Sequence, residues 1–307
     1  MEARPHFTFA LLHPRYWLTW LWLTLWRLLV VLLPFRVQLF LGRSLGWLLA
    51  RAVPRRRNIA ARNLEICFPE LDEAQRAELL RKHFHSVGIA TFETGIAWWW
   101  PNWRFQRLLH FTGLEHFDQL DGRGVLLMAL HFTNLEIGAS AMSTQVCMDG
   151  MYRPNNNPVF DYVQRRGRER RVAGGRVYPR RDVRGVLRAL KEGRILWYAP
   201  DQDYGPQQSI FAPLFGQQAA TVVATGRLAG KSGAAVMPFT HYRRADGKGY
   251  DIHIYPPLEN FPTGDDLADT SHINSLVEDY IRQCPDQYLW VHRRFKTRPE
   301  GESPLYF

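Results

Sequence analysis

The sequence predicts an α/β fold: a sheet flanked by helices, with an N-terminal membrane-anchoring helix ahead of it. Short unbroken apolar runs suited to fully buried strands, at residues 124–130 and 195–199, alternate with stretches of helical periodicity. A 17-residue run precedes them, residues 17–33, in which only Thr19, Thr24 and Arg27 are not apolar. The 307 residues are 46% hydrophobic and 22% charged, which excludes both a disordered chain and a polytopic membrane protein.

In a helix the 17-residue run reaches ~26 Å, just short of the hydrocarbon thickness of a bilayer. Arg27 adds about 2.5–3.5 kcal/mol to a crossing. Spanning the bilayer and lying in its interface are both open, and Trp17, Trp20, Trp22 and Trp26 favour contact with the headgroup region. Pro34-Phe35-Arg36 follows with no small-residue cleavage site, so the segment is expected to be retained rather than cleaved as a signal peptide. Arg4 and Arg15 precede it, whereas Arg36, Arg43, Arg51, Arg55, Arg56 and Arg57 follow, which places everything after Pro34 in the cytoplasm. Residues 37–53 read as an amphipathic helix. Residues 1–57 are thus expected to form a membrane anchor and basic amphipathic segment, and residues 58–307 a domain at the cytoplasmic face.

Asp72-Glu73-Ala74-Gln75 reads as a capping box opening a helix to about Gly88. Trp98, Trp99 and Trp100 precede Pro101, and because adjacent indoles cannot share one helical face, some of them are expected to touch lipid or a lipid substrate. Beyond the strand at 124–130 comes a helix from about Asn134. Residues 184–192 read as a helix stopped by Gly193, 219–231 as helix, 234–240 and 250–255 as strands, and 272–284 as helix. Cys67, Cys147 and Cys284 are odd in number and far apart, which excludes a disulfide scaffold and suits a reducing compartment.

Lys and Arg number 39 against 29 Asp and Glu, a net charge of +10. Only five of the 39 are lysines, and the arginine fork suits phosphates and carboxylates, so an acidic partner is expected. Residues 165–194 hold twelve basic side chains against three acidic ones. No nucleic-acid motif is present, and the tryptophans cluster near the anchor instead of interleaving with the arginines, so nucleic acid is not an expected partner.

The strand ending at Leu130 delivers His131-Phe132-Thr133-Asn134-Leu135-Glu136 to the carboxyl edge of the sheet, where open α/β folds place their ligands. Within one helix, positions 131 and 136 would lie about 140° apart, so a contact between them requires His131 to sit in the preceding loop. Thr133-x-x-Glu136 also reads as a capping box, which would hold Glu136 ionised at a helix N-terminus.

Further blocks follow: Tyr152-Arg153-Pro154-Asn155-Asn156-Asn157-Pro158, then Gly167-Arg168, then Pro200-Asp201-Gln202-Asp203-Tyr204-Gly205, and finally Trp290-Val291-His292-Arg293-Arg294-Phe295. In this order and spacing, with His131 and Glu136, they closely resemble the late (secondary) acyltransferases of lipid A biosynthesis, the lauroyl or myristoyl transferases of Gram-negative bacteria. The resemblance covers nearly the whole chain. It implies a glycerol-phosphate-acyltransferase-like sheet and transfer of a fatty acyl chain, lauroyl or myristoyl, from acyl carrier protein. The acceptor it implies is a hydroxyacyl 3-hydroxyl on a Kdo-bearing lipid A precursor, a glycolipid at the cytoplasmic face of the inner membrane. It implies His131 and Glu136 as the catalytic dyad, a need for Arg168 and Asp201, and no cofactor or metal. The phosphate-binding block of the glycerol-phosphate enzymes is absent, which weighs against that acceptor; the alternatives are a different membrane acceptor, a glycerophospholipid or an ornithine lipid, and, further off, a non-enzymatic membrane-tethered nucleic-acid binder.

An alcohol is a poor nucleophile, and a positioned histidine base contributes roughly 10²–10⁴ in rate. Glu136 is expected to orient His131 and stabilise the imidazolium. Candidates for substrate binding or for stabilising the oxyanion are Asn134, through the backbone N–H groups near it, together with Arg153, Arg168 and Asp201. Asp201 is expected to hold an arginine or a sugar hydroxyl, or else to shape the turn after Pro200. The basic run is expected to dock the acidic carrier protein, the anionic acceptor, or both.

Overall fold

A computed structural model describes residues 7–152, 154–171, 174–179 and 182–306. Four helices open the chain: α1 (Trp17–Leu32), α2 (Phe35–Ala52), α3 (Pro54–Cys67) and α4 (Glu73–Trp99). Pro34 separates the first two, and Pro54 occupies the first turn of α3, where a missing N–H costs nothing. The capping box forms as expected: Asp72 Oδ1 accepts from the Gln75 N–H at 2.8 Å, and Gln75 Oε1 from the Asp72 N–H at 2.9 Å. The helix does not stop near Gly88, however. Gly88 lies against the backbone of α2, where a β-carbon would come within 2.1 Å of the Gly42 carbonyl oxygen and 2.2 Å of the Gly46 nitrogen. Tertiary packing overrides a local helix breaker here.

The expected transmembrane helix is not supported: among the described residues no helix is long and apolar enough to cross a membrane. One stripe of α1, Leu23, Trp26 and Val30, is buried in the same core as Ile96 and Trp98. The opposite stripe is bare, with Leu18 80% and Leu32 72% exposed and Leu21, Trp22 and Leu25 beside them. α2 likewise exposes apolar side chains, Phe40, Leu41 and Leu48.

After α5 (Asn102–Gln106) come β1 (Leu109–Thr112), β2 (Val125–Met128), α6 (Leu135–Met142), β3 (Met148–Tyr152), α7 (Pro158–Glu169), β4 (Val177–Pro179), α8 (Val183–Lys191) and β5 (Ile195–Tyr198). A hairpin of β6 (Ser209–Leu214) and β7 (Gln217–Val222) follows, then α9 (Ala224–Ser232), β8 (Ala235–Arg243), β9 (Tyr250–Ile254) and α10 (Asp266–Gln283). Residues 217–222 are therefore strand, and the helix expected over 219–231 begins only at Ala224; an apolar stretch without clear periodicity suits either state.

The seven-stranded sheet has the order β1-β9-β8-β2-β5-β3-β4 and is mostly parallel; β8 and β9 alone run antiparallel to each other as neighbours. Central strand β2 is buried on both faces. Leu126 and Met128 enter one core, and Val125 and Leu127 the other, by the two-residue alternation of a strand. The fold is thus mixed α/β with a central sheet flanked by helices, and the carboxyl ends of β2 and β5 lie side by side.

Candidate active site

Parallel strands β2 and β5 pair in the register Met128 with Tyr198, and the Ala129 N–H continues the ladder to the Tyr198 carbonyl at 2.8 Å. Three residues beyond each member of that pair stand His131 and Asp201. The Asp201 carboxylate accepts from both the Nδ1 of His131, at 2.6 Å, and its backbone N–H, at 2.8 Å. The Asp201 side chain is fully buried, whereas that of His131 is 18% exposed. Burial works against the imidazolium, but the charge of Asp201 and its hydrogen bond together outweigh burial, so the pKa of His131 is raised. For Asp201 the same contest ends in a lowered pKa: burial pushes the carboxyl up, and His131 pulls it further down. With its proton on Nδ1, neutral His131 presents the Nε2 lone pair, which has no hydrogen-bond partner among the described residues.

The hydrogen bond expected between His131 and Glu136 is not formed. Glu136, in the first turn of α6, instead accepts from Arg168 Nε at 3.0 Å and from its Nη2, and from the Trp98 indole N–H at 2.8 Å. Arg168 reaches it because α7 lies close to α4: a β-carbon on Gly167 would sit 2.4 Å from the Trp98 ring. The Gly167-Arg168 pair therefore joins a close approach to an ion pair. Nor does the Thr133 capping box form. α6 starts one residue later, with Asn134 as its N-cap, and the Thr133 N–H donates to the Gln287 carbonyl at 2.7 Å.

Asn134 does not turn its amide toward a substrate. Its Nδ2 donates to the His241 carbonyl at 3.1 Å and its Oδ1 lies 3.0 Å from His241 Nδ1, in a buried pair joining α6 to β8. Burial holds His241 neutral, its pKa pushed down to about 4. The backbone N–H groups of Asn134 and Glu136 find no acceptor among the described residues. Asp201 neither holds an arginine nor keeps a free oxygen, since His131 takes both. Neighbouring Asp203 ties down the C-terminal segment by accepting from the Thr297 N–H at 2.8 Å and its hydroxyl at 2.9 Å. Arg153 lies outside the described residues.

A further brace joins the two loops. Tyr288 forms an antiparallel bridge with Phe132, the Leu289 N–H donates to the His131 carbonyl at 3.0 Å, and the Tyr288 hydroxyl donates to the Asp201 carbonyl at 3.2 Å. No sequence motif announced Tyr288 or His241 as partners of this site.

The tryptophan triplet is largely interior rather than turned to lipid. Trp98 and Trp100 are buried; Trp100 donates to the Val30 carbonyl at 2.8 Å, and Trp99 packs on Trp26. Much of the basic run is spent inside the fold too. Arg168 serves Glu136, Arg170 and Arg171 cap the last carbonyls of α4, Arg194 pairs with buried Asp149, and Arg176 with Glu192. Arg180 and Arg181 lie outside the described residues. Arg166, Arg184, Arg188 and Lys191 remain exposed, the last three along one face of α8.

The sequence profile of the bacterial lipid A biosynthesis acyltransferases matches residues 4–297. The chain belongs to this family. It is 47% identical to the lipid A biosynthesis lauroyltransferase of Escherichia coli K12 over the whole of both chains, and 43% identical to the palmitoleoyltransferase of the same strain over 98% of each. Identity to the myristoyltransferase of that strain is 32%, over 99% of this chain and 95% of the relative. A lipid A biosynthesis acyltransferase therefore carries, at the carboxyl edge of its sheet, a histidine held by a buried carboxylate and a separate carboxylate held by an arginine.

Proposed function

We propose that this acyltransferase moves a lauroyl chain from acyl carrier protein to the 3-hydroxyl of a hydroxyacyl chain on a Kdo-bearing lipid A precursor, with His131 as general base. The observation that carries the reading is the 2.6 Å bond from His131 Nδ1 to Asp201, which leaves Nε2 as the free base. Nε2 takes the proton of the acceptor hydroxyl as its oxygen attacks the thioester carbonyl. The tetrahedral intermediate then expels the carrier thiolate, which receives that proton from the imidazolium, leaving an ester and a free thiol. Asp201 orients the ring and stabilises its charged form, the part first expected of Glu136. Glu136 holds Arg168 and the start of α6 in place.

Arg168 and the Asn134 side chain are both committed elsewhere, which favours the N–H groups of Asn134 and Glu136 as donors to the oxyanion. The bare apolar faces of α1 and α2 support seating in the interface of the inner membrane at its cytoplasmic side. Exposed Arg184, Arg188 and Lys191 on α8 supply a basic face for an acidic carrier protein.

Mass spectrometry of lipid A from cells lacking the gene, then regaining it as wild type or as His131→Ala, tests the reading. Loss of one secondary acyl chain, restored by the wild type alone, is the expected result, and the mass difference reads the chain length. Restoration by His131→Ala would overturn the assignment of the base.

A further inference from the structure

Beside the two catalytic loops lies a cavity of about 430 Å³. Leu49 and Val53 wall it on one side, Phe84 and Val87 of α4 on another, and Leu289 and Val291 on a third. Gln202, the residue after Asp201, lines it too, and the Leu289 N–H is bonded to the His131 carbonyl, so the cavity borders the two loops that carry His131 and Asp201.

At its rim stands Arg56, whose Nη1 donates to the Val291 carbonyl at 3.1 Å and whose remaining donors are exposed. Exposed Arg55 and Arg57 stand next to it in the first turn of α3, about 100° around the helix to either side, and make no ion pair among the described residues. Val53 in the wall is itself partly exposed, and Trp47 and Leu48, close by in sequence on α2, are exposed as well. His292 contributes no positive charge to the lining: burial, followed by the nearby Arg294, pushes its pKa down to about 4.

We infer that this cavity binds the lipid acceptor, taking an acyl chain between its apolar walls while Arg55, Arg56 and Arg57 hold anionic groups of the headgroup. The inference rests on the acyltransferase reading above and adds where the second substrate sits. An apolar slot with a cationic rim fits an amphiphile with a charged head. Exposed Val53, Trp47 and Leu48 give a lipid an apolar approach to it. The carrier protein, in contrast, has a basic face of its own on α8.

The test is steady-state kinetics of the full chain in neutral detergent micelles, which present no anionic surface, with acyl-carrier thioester and a lipid A precursor varied separately. Val87→Trp fills the slot, and Arg55→Gln with Arg57→Gln strips the rim without touching the core. Both are expected to raise KM for the glycolipid by about tenfold or more, leaving KM for the thioester and the glycolipid-free hydrolysis of the thioester unchanged. If the rim variant raises KM for the thioester, the cavity serves the donor and the inference fails. Unchanged kinetics in the rim variant overturn it equally. Absence of any transfer by the wild type would instead refute the function on which it rests.

Discussion

His131 and Asp201 meet because their strands are in register: each stands three residues past the paired Met128 and Tyr198, so both side chains emerge at the same height above the sheet. One short ladder of backbone hydrogen bonds sets the spacing of the pair.

Replacing Asp201 by Asn removes more than a charge. One carboxylate oxygen serves the His131 backbone N–H and the other serves Nδ1. An amide oxygen can meet only the first, and its NH₂ then faces Nδ1, forcing the ring proton onto Nε2, where the base is needed. Asp201→Asn should therefore lower kcat on the order of 10³-fold or more while the protein stays folded. As the proposed base His131 must be neutral, and its pKa is raised, so wild-type activity should climb with pH through a midpoint above that of an ordinary histidine, and the residual activity of the variant through a lower one. Coincident pH profiles would show that the pair does not control the reaction.

Glu136 and Arg168 are predicted to couple. Arg168 is 39% exposed at its side chain, so solvent screening holds the pair to about 1 kcal/mol in a double-mutant cycle of Glu136→Gln and Arg168→Met. Denaturant unfolding reads the coupling, and additive single effects would contradict the contact.

Gly88→Ala would place a methyl group into the backbone of α2, where no side chain can move aside. A loss of about 3 kcal/mol is expected, at the upper end for overpacking, measurable as a lower denaturation midpoint. The same change at exposed Gly216, whose added β-carbon would meet nothing but whose φ is +70°, tests strain without packing and should cost less, about 1 kcal/mol.

Stability should fall in mild acid. Burial pushes His83, His241 and His292 down to about 4, whereas the unfolded chain titrates near 6.5. Between those values the unfolded state binds more protons, so the contribution of these residues is complete above pH 6.5 and wanes toward pH 4, by up to about 1.4 kcal/mol per pH unit for each histidine. His131 acts in the opposite sense: its raised pKa stabilises the fold below 6.5, and that contribution is lost as pH rises through its folded value. Unfolding curves at pH 7, 6 and 5 measure the sum, and a stability that rises on acidification would contradict the burial of the three histidines.

Strands β2 and β5 were legible because a strand buried on both faces must be apolar without interruption, and the capping box at Asp72 because its partners are local in sequence. Seven-residue spans also suffice to place His131 at a strand end. The partner of His131 was not legible: Glu136 is five residues away and Asp201 seventy, and only the pairing of β2 with β5 decides between them. The Gly88 stop failed for the same reason, since what α4 leans on is another helix. The basic run between 165 and 194 reads in the sequence as one docking patch, yet Arg170 and Arg171 find carbonyls at the end of α4, an attraction that composition does not reveal.

Where Gly42, Gly46 and Gly88 let two helices touch backbone to backbone, nothing compressible lies between them. Lateral pressure on the outer side of α2 therefore passes into α4 without being absorbed by side-chain rearrangement. Near the far end of α4 the Trp98 indole is bonded to Glu136, so a single stiff helix connects the outer helix α2 with the first turn of α6.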